Sequence, residues 1–198
     1  MYNAKAYSAA SAKSPLASAT IPRRDPTERD VQIEILFCGI CHSDLHYVRG
    51  EWGEQKSPAV PGHEIVGIVR AVGANVTRFA AGDEVFGSAG TKFGAHAEYV
   101  CVAAGRGLER KPANLSFEEA APLSYAGVTA LHFLRQANIK PGQRVLIYGA
   151  SGAVGTASVQ IAKNHFGAHV TGVCSGANLD LVRSIGADDV IDYTKEDF

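Results

Sequence analysis

The sequence predicts a chain in two parts, a small barrel-like all-β domain followed by a parallel α/β unit of the βαβαβ kind, and three observations predict it. Short strand patterns separated by turn signals fill the first half as far as Val102. A continuous apolar run, Val145-Leu-Ile147, which fits a strand buried on both faces of a parallel sheet, then passes through glycines into an apolar-periodic helix. Two more strand patterns, at 169–173 and 190–192, flank a second helical stretch at 179–185.

Taken in order, residues 5–21 are small, polar and broken by Ser14-Pro15, which suggests two strands around a turn, and 23–30 is a charged loop. Val31-Gln-Ile-Glu-Ile-Leu-Phe37 alternates and then turns wholly apolar, a half-buried strand entering the interior. Residues 38–47 span a loop and a short helix. After a turn at 58–62 comes a strand interrupted by Gly67, which implies a bulge or a close backbone approach. Turns at 75–79 and at Gly82-Asp83 precede a brief strand at 84–86, and 96–102 continues the β character. Ser116 with Glu119 three residues later is a capping box opening a helix, and 125–134 reads as a second one. The domain boundary is expected within 123–129, giving domains 1–125 and 126–198.

The turn after the apolar run has the form Gly149-Ala-Ser-Gly152-Ala-Val-Gly155. Gly149 and Gly152 would let the backbone turn sharply and approach a ligand, and Gly155 would let the helix press on the strand. The first turn of the helix aims free N–H groups and a positive dipole end at whatever lies in front, a position suited to a pyrophosphate. The pattern is A-x-G-x-x-G, with Ala150 where a dinucleotide fingerprint has its first glycine.

A hydrophobic content of 46% with 20% charged residues is ordinary for a globular protein, and a net charge of −1 gives no general attraction to nucleic acid or anionic membrane. No signal-peptide core and no run of eighteen apolar residues is present, so the expected location is the cytoplasm. Four cysteines with a single C-x-x-C suit thiol chemistry or metal ligation better than cross-linking. The densest polar stretch is Cys38-Gly-Ile-Cys-His-Ser-Asp-Leu-His-Tyr47, in which Cys41, His42, Asp44 and His46 are able to ligate metal or move protons.

These residues carry a resemblance. Gly39-Ile-Cys-His-Ser-Asp44, Pro61-Gly-His-Glu64, Val72-Gly73, Gly82-Asp-Glu-Val85 and the glycine turn resemble, in order, the motifs of the medium-chain dehydrogenase/reductases. The resemblance implies a GroES-like β-barrel-type catalytic domain followed by a Rossmann fold. Residues 1–83 are most similar to the cinnamyl-alcohol-dehydrogenase branch, which uses zinc and NADPH on aldehydes, and 86–198 to the quinone-reductase branch, which works without zinc.

On the zinc branch the resemblance implies Cys41 and His63 as zinc ligands with Glu64 as the third element, and Asp44 as the carboxylate orienting His63. Ser43 and His46 would relay a proton toward solvent. The family's remaining cysteine would stand at Tyr125, and the cysteine-rich structural-zinc lobe is absent. For the cofactor the resemblance implies Gly149, Ala150, Gly152, Ala153, Val154 and Gly155 around the pyrophosphate with His42, Thr129 near the nicotinamide, and Ser175, Asn178 and Tyr193 near a 2′-phosphate. Cys174-Ser175-Gly176 occupies the place where NAD-binding units carry an acid, which favours NADPH over NADH. The basic side chain that the resemblance implies near that phosphate is expected to be missing.

The expected function is NADPH-dependent hydride transfer between nicotinamide and an alcohol or aldehyde at a catalytic zinc. A zinc-independent quinone or enone reductase, a nucleotide-binding fragment without turnover and a structural role remain open. The partner is a small molecule, neither nucleic acid nor membrane, with homo-oligomer formation part of the family pattern. Only the first βαβαβ half of the Rossmann fold is expected here, so the chain reads as a partial or truncated product with exposed apolar surface.

Overall fold

The computed structural model describes residues 1–53, 57–105 and 107–198. The chain forms two compact units, Met1–Ser124 and Tyr125–Phe198.

In the first unit, β1 (Tyr2–Ala9) and β2 (Leu16–Arg23) pair as an antiparallel hairpin. Five strands form an antiparallel sheet: β3 (Asp30–Gly39), β4 (Glu64–Val72), β5 (Glu84–Ser88), β6 (Tyr99–Ala103) and β7 (Leu108–Arg110). Their order is β6-β3-β4-β5-β7. Single bridges from Ala6 to Ala97 and from Ala9 to Ala59 tie the hairpin to this sheet's connecting segments. Val31, Ile33, Ile65, Val69, Val85 and Leu108 build the core, each from an alternate, inward position of its strand. The three-residue β7 lies in a stretch that carries no strand pattern of its own.

Gly67 has the role its place in the strand suggested. A Cβ there would lie 1.9 Å from the carbonyl oxygen of Glu34, so β3 and β4 touch backbone to backbone. The register slips between Ile35 and Phe37, leaving Leu36 unmatched against β4. One expectation needs correction as a result: the apolar end of β3 does not enter the interior, since Leu36 and Phe37 are 41% and 42% exposed. The slip rotates these side chains off the buried face.

α1 (His42–Val48) follows β3 directly. α2 (Phe117–Ala120) carries the expected capping box, in which Ser116 Oγ accepts from the Glu119 amide at 3.2 Å and Glu119 accepts from the Ser116 amide at 2.8 Å. It stops after four residues, where Pro122 denies a donor and a 3₁₀ turn takes over.

The second unit holds α3 (Ala126–Gln136), β8 (Arg144–Tyr148), α4 (Ala153–Asn164), β9 (His169–Cys174), α5 (Leu179–Ser184) and β10 (Asp189–Asp192). The strands are parallel in the order β10-β9-β8, the βαβαβ arrangement expected. Ile147, Val159, Val170 and Val182 meet in its core. The expectation that Val145, Leu146 and Ile147 are buried on both faces is corrected here, because only Ile147 is buried while Leu146 is 52% exposed. Among the described residues β8 pairs with β9 alone, so it is an edge strand with one face uncovered. No helix among the described residues is long and apolar enough to cross a membrane.

Candidate metal centre and nucleotide-binding turn

The polar stretch becomes a site because α1 starts inside it. Cys41 is the N-cap, and Asp44, at the third helical position, turns its carboxylate back to accept the Cys41 amide at 2.9 Å. The other carboxylate oxygen accepts the Gly62 amide at 2.7 Å and lies 3.1 Å from His63 Nδ1. Asp44 thus joins the start of α1 to the turn that enters β4. Burial would raise its carboxyl, but His63 and the Cys41 and Gly62 amides outweigh burial and hold it below the usual carboxylate range. An ionised Asp44 accepts a hydrogen bond from the Nδ1–H of His63, which places the ring's lone pair on Nε2.

Nε2 of His63 is 3.9 Å from Glu64 Oε1, and the Cys41, His63 and Glu64 ligand atoms all lie within 4.8 Å of one another. His63 and Glu64 are buried and Cys41 is half-buried. Burial pushes the Glu64 carboxyl up, against the pull of His63 and with reinforcement from Asp44. Sulfur, nitrogen and oxygen donors gathered under cover, beside a second carboxylate, form a set that a zinc ion would neutralise and fit. Cys38, the other cysteine of the C-x-x-C, is pushed up to about 12 by burial and stays a thiol.

The remaining candidates divide. Ser43 is half-buried on α1, and His46, three residues on, shares its helix face. His46 contacts Glu51 through Nδ1 and lies 5.2 Å from the Trp52 ring. His42 is exposed at the first helical position. Tyr125 opens the second unit as the N-cap of α3, 39% exposed, with Thr129 half-buried one turn later.

An aromatic wall beside the centre was not legible in the sequence. Phe93 sets its ring edge-on to His63 at 5.1 Å and stacks on Tyr47 at 4.3 Å. Its backbone, at φ 50° and ψ −159°, occupies a region that glycine enters easily and phenylalanine does not. Thr91-Lys-Phe-Gly94 reads as an ordinary loop, so no local signal marks it.

In the second unit the glycine turn divides its labour. Gly149 has φ 73°. A Cβ on Gly155 would fall 2.1 Å from the Gly149 oxygen and 2.8 Å from Ala150 Cα, so this glycine serves strand–helix contact. At Gly152, by contrast, φ is −78° and a Cβ would meet only ordinary contact, the Gly149 oxygen at 3.4 Å. The protein itself does not require glycine there, and the exposed Gly152 and Ala153 leave a cradle before the free amides of α4. Such a cradle has the chemistry that would hold a pyrophosphate; in the same turn Ala150 is buried and Val154 half-buried.

At the ends of β9 and β10, Ser175 accepts from Asn178 Nδ2 at 3.2 Å, and Tyr193 is 51% exposed. Two residues missed by sequence reasoning lie here. Asp192 is buried, and a Cβ on Gly176 would be 2.5 Å from its Oδ2. Lys195 Nζ lies 3.5 Å from the same oxygen. The end of β10 thus brings a buried carboxylate beside the loop that follows β9 and, against expectation, a lysine within 3.5 Å of it.

Residues 27–113 match the alcohol dehydrogenase GroES-like domain. The chain is 38% identical to NADP-dependent alcohol dehydrogenase C of Mycobacterium bovis over 77% of its own length and 54% of the relative's. It is 34% identical to the aldehyde reductase YahK of Escherichia coli over 98% of its length and 65% of the relative's. The quinone oxidoreductase of Coxiella burnetii superposes with a TM-score of 0.89 at 30% identity, covering 100% of this chain and 64% of that one. These matches support the medium-chain dehydrogenase/reductase family for this chain. It spans about half to two thirds of the length of these family members. Its two units are the family's GroES-like domain and a partial Rossmann-type parallel sheet.

Proposed function

We propose that this chain supplies the metal-binding and cofactor-anchoring part of an NADPH-dependent oxidoreductase, moving a hydride between nicotinamide and an alcohol or aldehyde carbonyl. The observation that carries this reading is the covered Cys41, His63 and Glu64 set with Asp44 locked behind His63. When bound, zinc would polarise the carbonyl oxygen and the nicotinamide would carry the hydride. The chain's own residues do the rest. Asp44 keeps the Nδ1 proton on His63 and fixes the ring. Ser43 and His46, on one face of α1, lead a proton outward, and the Glu51 contact steadies the His46 ring. Gly152, Ala153 and the first amides of α4 hold the pyrophosphate.

NADPH is the preferred cofactor on two grounds: β9 ends in Cys174-Ser175-Gly176 without an acid, and a relative bears the name NADP-dependent. A second reading, a zinc-independent quinone or enone reductase, is favoured by Tyr125, which stands where the zinc branch has its last cysteine. There an electron-poor substrate would replace Lewis-acid activation.

Metal analysis separates the two. Protein purified with zinc present should retain about one equivalent after desalting, and Cys41→Ser should retain almost none. Retention below about a tenth of an equivalent by the unaltered chain would sink the zinc reading and leave the enone one. NADPH binding without oxidation on any aldehyde or quinone would mark the chain as a binding fragment.

A further inference from the structure

The Asp192–Lys195 pair answers to no part of the proposed chemistry, yet it stands at the one place where the adenosine end of a dinucleotide would be read. In open parallel sheets ligands bind beyond the carboxyl ends of the strands. Cys174 and Asp192 close β9 and β10 side by side in register, and the Tyr193 amide donates to the Cys174 carbonyl at 3.2 Å. The loop beyond them carries Ser175, Gly176 and Asn178.

Asp192 is anchored and charged. Its Oδ1 accepts from the Thr194 hydroxyl at 2.7 Å and from the Thr194 amide at 3.1 Å. Its Oδ2 is buried beneath Gly176, where any larger residue would collide with it. A covered carboxylate at that spot would repel a phosphate and favour a free hydroxyl. The counter-charge is Lys195, whose side chain is 75% exposed while its ammonium stays 3.5 Å from Oδ2. The lysine therefore holds its ammonium beside the carboxylate that Gly176 covers, with most of its side chain in solvent and its charge available to a ligand.

We infer that Lys195, positioned by Asp192, is the cation that receives the 2′-phosphate of the dinucleotide and sets the preference for a phosphorylated over a free ribose. The inference rests on the NADPH reading and names the residue that enforces it. Serine, asparagine and tyrosine at 175, 178 and 193 offer hydrogen bonds but no positive charge, so the lysine carries the electrostatic part of the selection.

The test is calorimetric titration of the 198-residue chain with adenosine 2′,5′-bisphosphate and with adenosine 5′-monophosphate. The unaltered chain should bind the bisphosphate more tightly, with an affinity that falls as salt rises. Lys195→Gln should weaken bisphosphate binding about tenfold and flatten that salt dependence, the scale of one charge-assisted contact, while leaving the monophosphate unchanged. Lys195→Arg should restore most of the loss. If the unaltered chain prefers the bisphosphate but Lys195→Gln stays within about twofold of it, Lys195 is not the reader and the NADPH reading survives. If the unaltered chain fails to prefer the bisphosphate, including by binding neither ligand, the NADPH reading falls and the inference with it.

Discussion

Gly152 and Gly155 stand three residues apart in one turn, and a Cβ would meet ordinary contact at the first and a backbone collision at the second. Alanine at 155 would drive a Cβ into the Gly149 oxygen at 2.1 Å, an overlap that backbone cannot relieve cheaply. Gly155→Ala should cost about 2–3 kcal/mol or prevent folding. Gly152→Ala meets only ordinary contact, so its stability should change by less than about 1 kcal/mol, the usual difference between these residues at an N-cap. Its added methyl enters the phosphate cradle, and nucleotide affinity should fall about tenfold or more. Urea melts paired with titration check both, and a Gly152→Ala chain that binds normally would remove the cradle. The metal centre allows a comparable contrast. Asp44→Asn keeps the volume but loses the anionic partner of His63, and zinc affinity measured against a chelator should drop by about 10–100-fold.

At the scale of elements, the turn from β2 into β3 is held by one carboxylate. Asp30 accepts from the Thr27 hydroxyl at 2.6 Å, from the Thr27 amide at 2.8 Å and from Arg24. Led by the Arg24 guanidinium and despite burial, these contacts pull its pKa down to about 2. A carboxyl depressed in the folded state stabilises fully above its unfolded value near 4 and loses that contribution as pH falls from about 4 through 2. Arg24 is half in water, so the contribution is about 1–2 kcal/mol rather than the full linkage value. The stability gap between the native chain and Asp30→Asn should narrow by that amount between pH 5 and pH 2 in urea melts. A gap that stays constant across the window would show that Asp30 acts by shape alone. β8 shows how an element's character depends on its neighbours. Its apolar run reads the same whether the strand is central or at an edge, and only the sheet order β10-β9-β8 shows which it is.

For the whole molecule, that edge has a cost. Val128, Phe133 and Leu146 are each more than half exposed in the second unit. Phe133, Leu146 and the strand's Val145 line an open groove of about 580 Å³. An uncovered strand edge beside an apolar groove is a template for association. Leu146→Thr puts a β-branched, strand-favouring and more polar residue in the strand and should lower concentration-dependent association in sedimentation experiments, with little loss of stability. Equal association by both chains would place the contact elsewhere.

The order of strands and helices, the capping box at Ser116, the glycine turn and the Cys41, His63, Glu64 and Asp44 set could all be read in the sequence. The first three rest on short-range rules, namely the period of apolar residues, hydrogen-bonding reach along the chain and the residue types that a phosphate needs, whereas the Cys41, His63, Glu64 and Asp44 set is legible only through the family resemblance. What only the tertiary structure decided are relations between distant segments. These include the register slip that exposes Leu36 and Phe37, the Phe93 ring against His63, and the exposed edge of β8. They also include Asp192 and Lys195 at the end of β9. Parallel pairing sets residues eighteen positions apart side by side, Cys174 beside Asp192, and nothing local in either segment encodes that meeting.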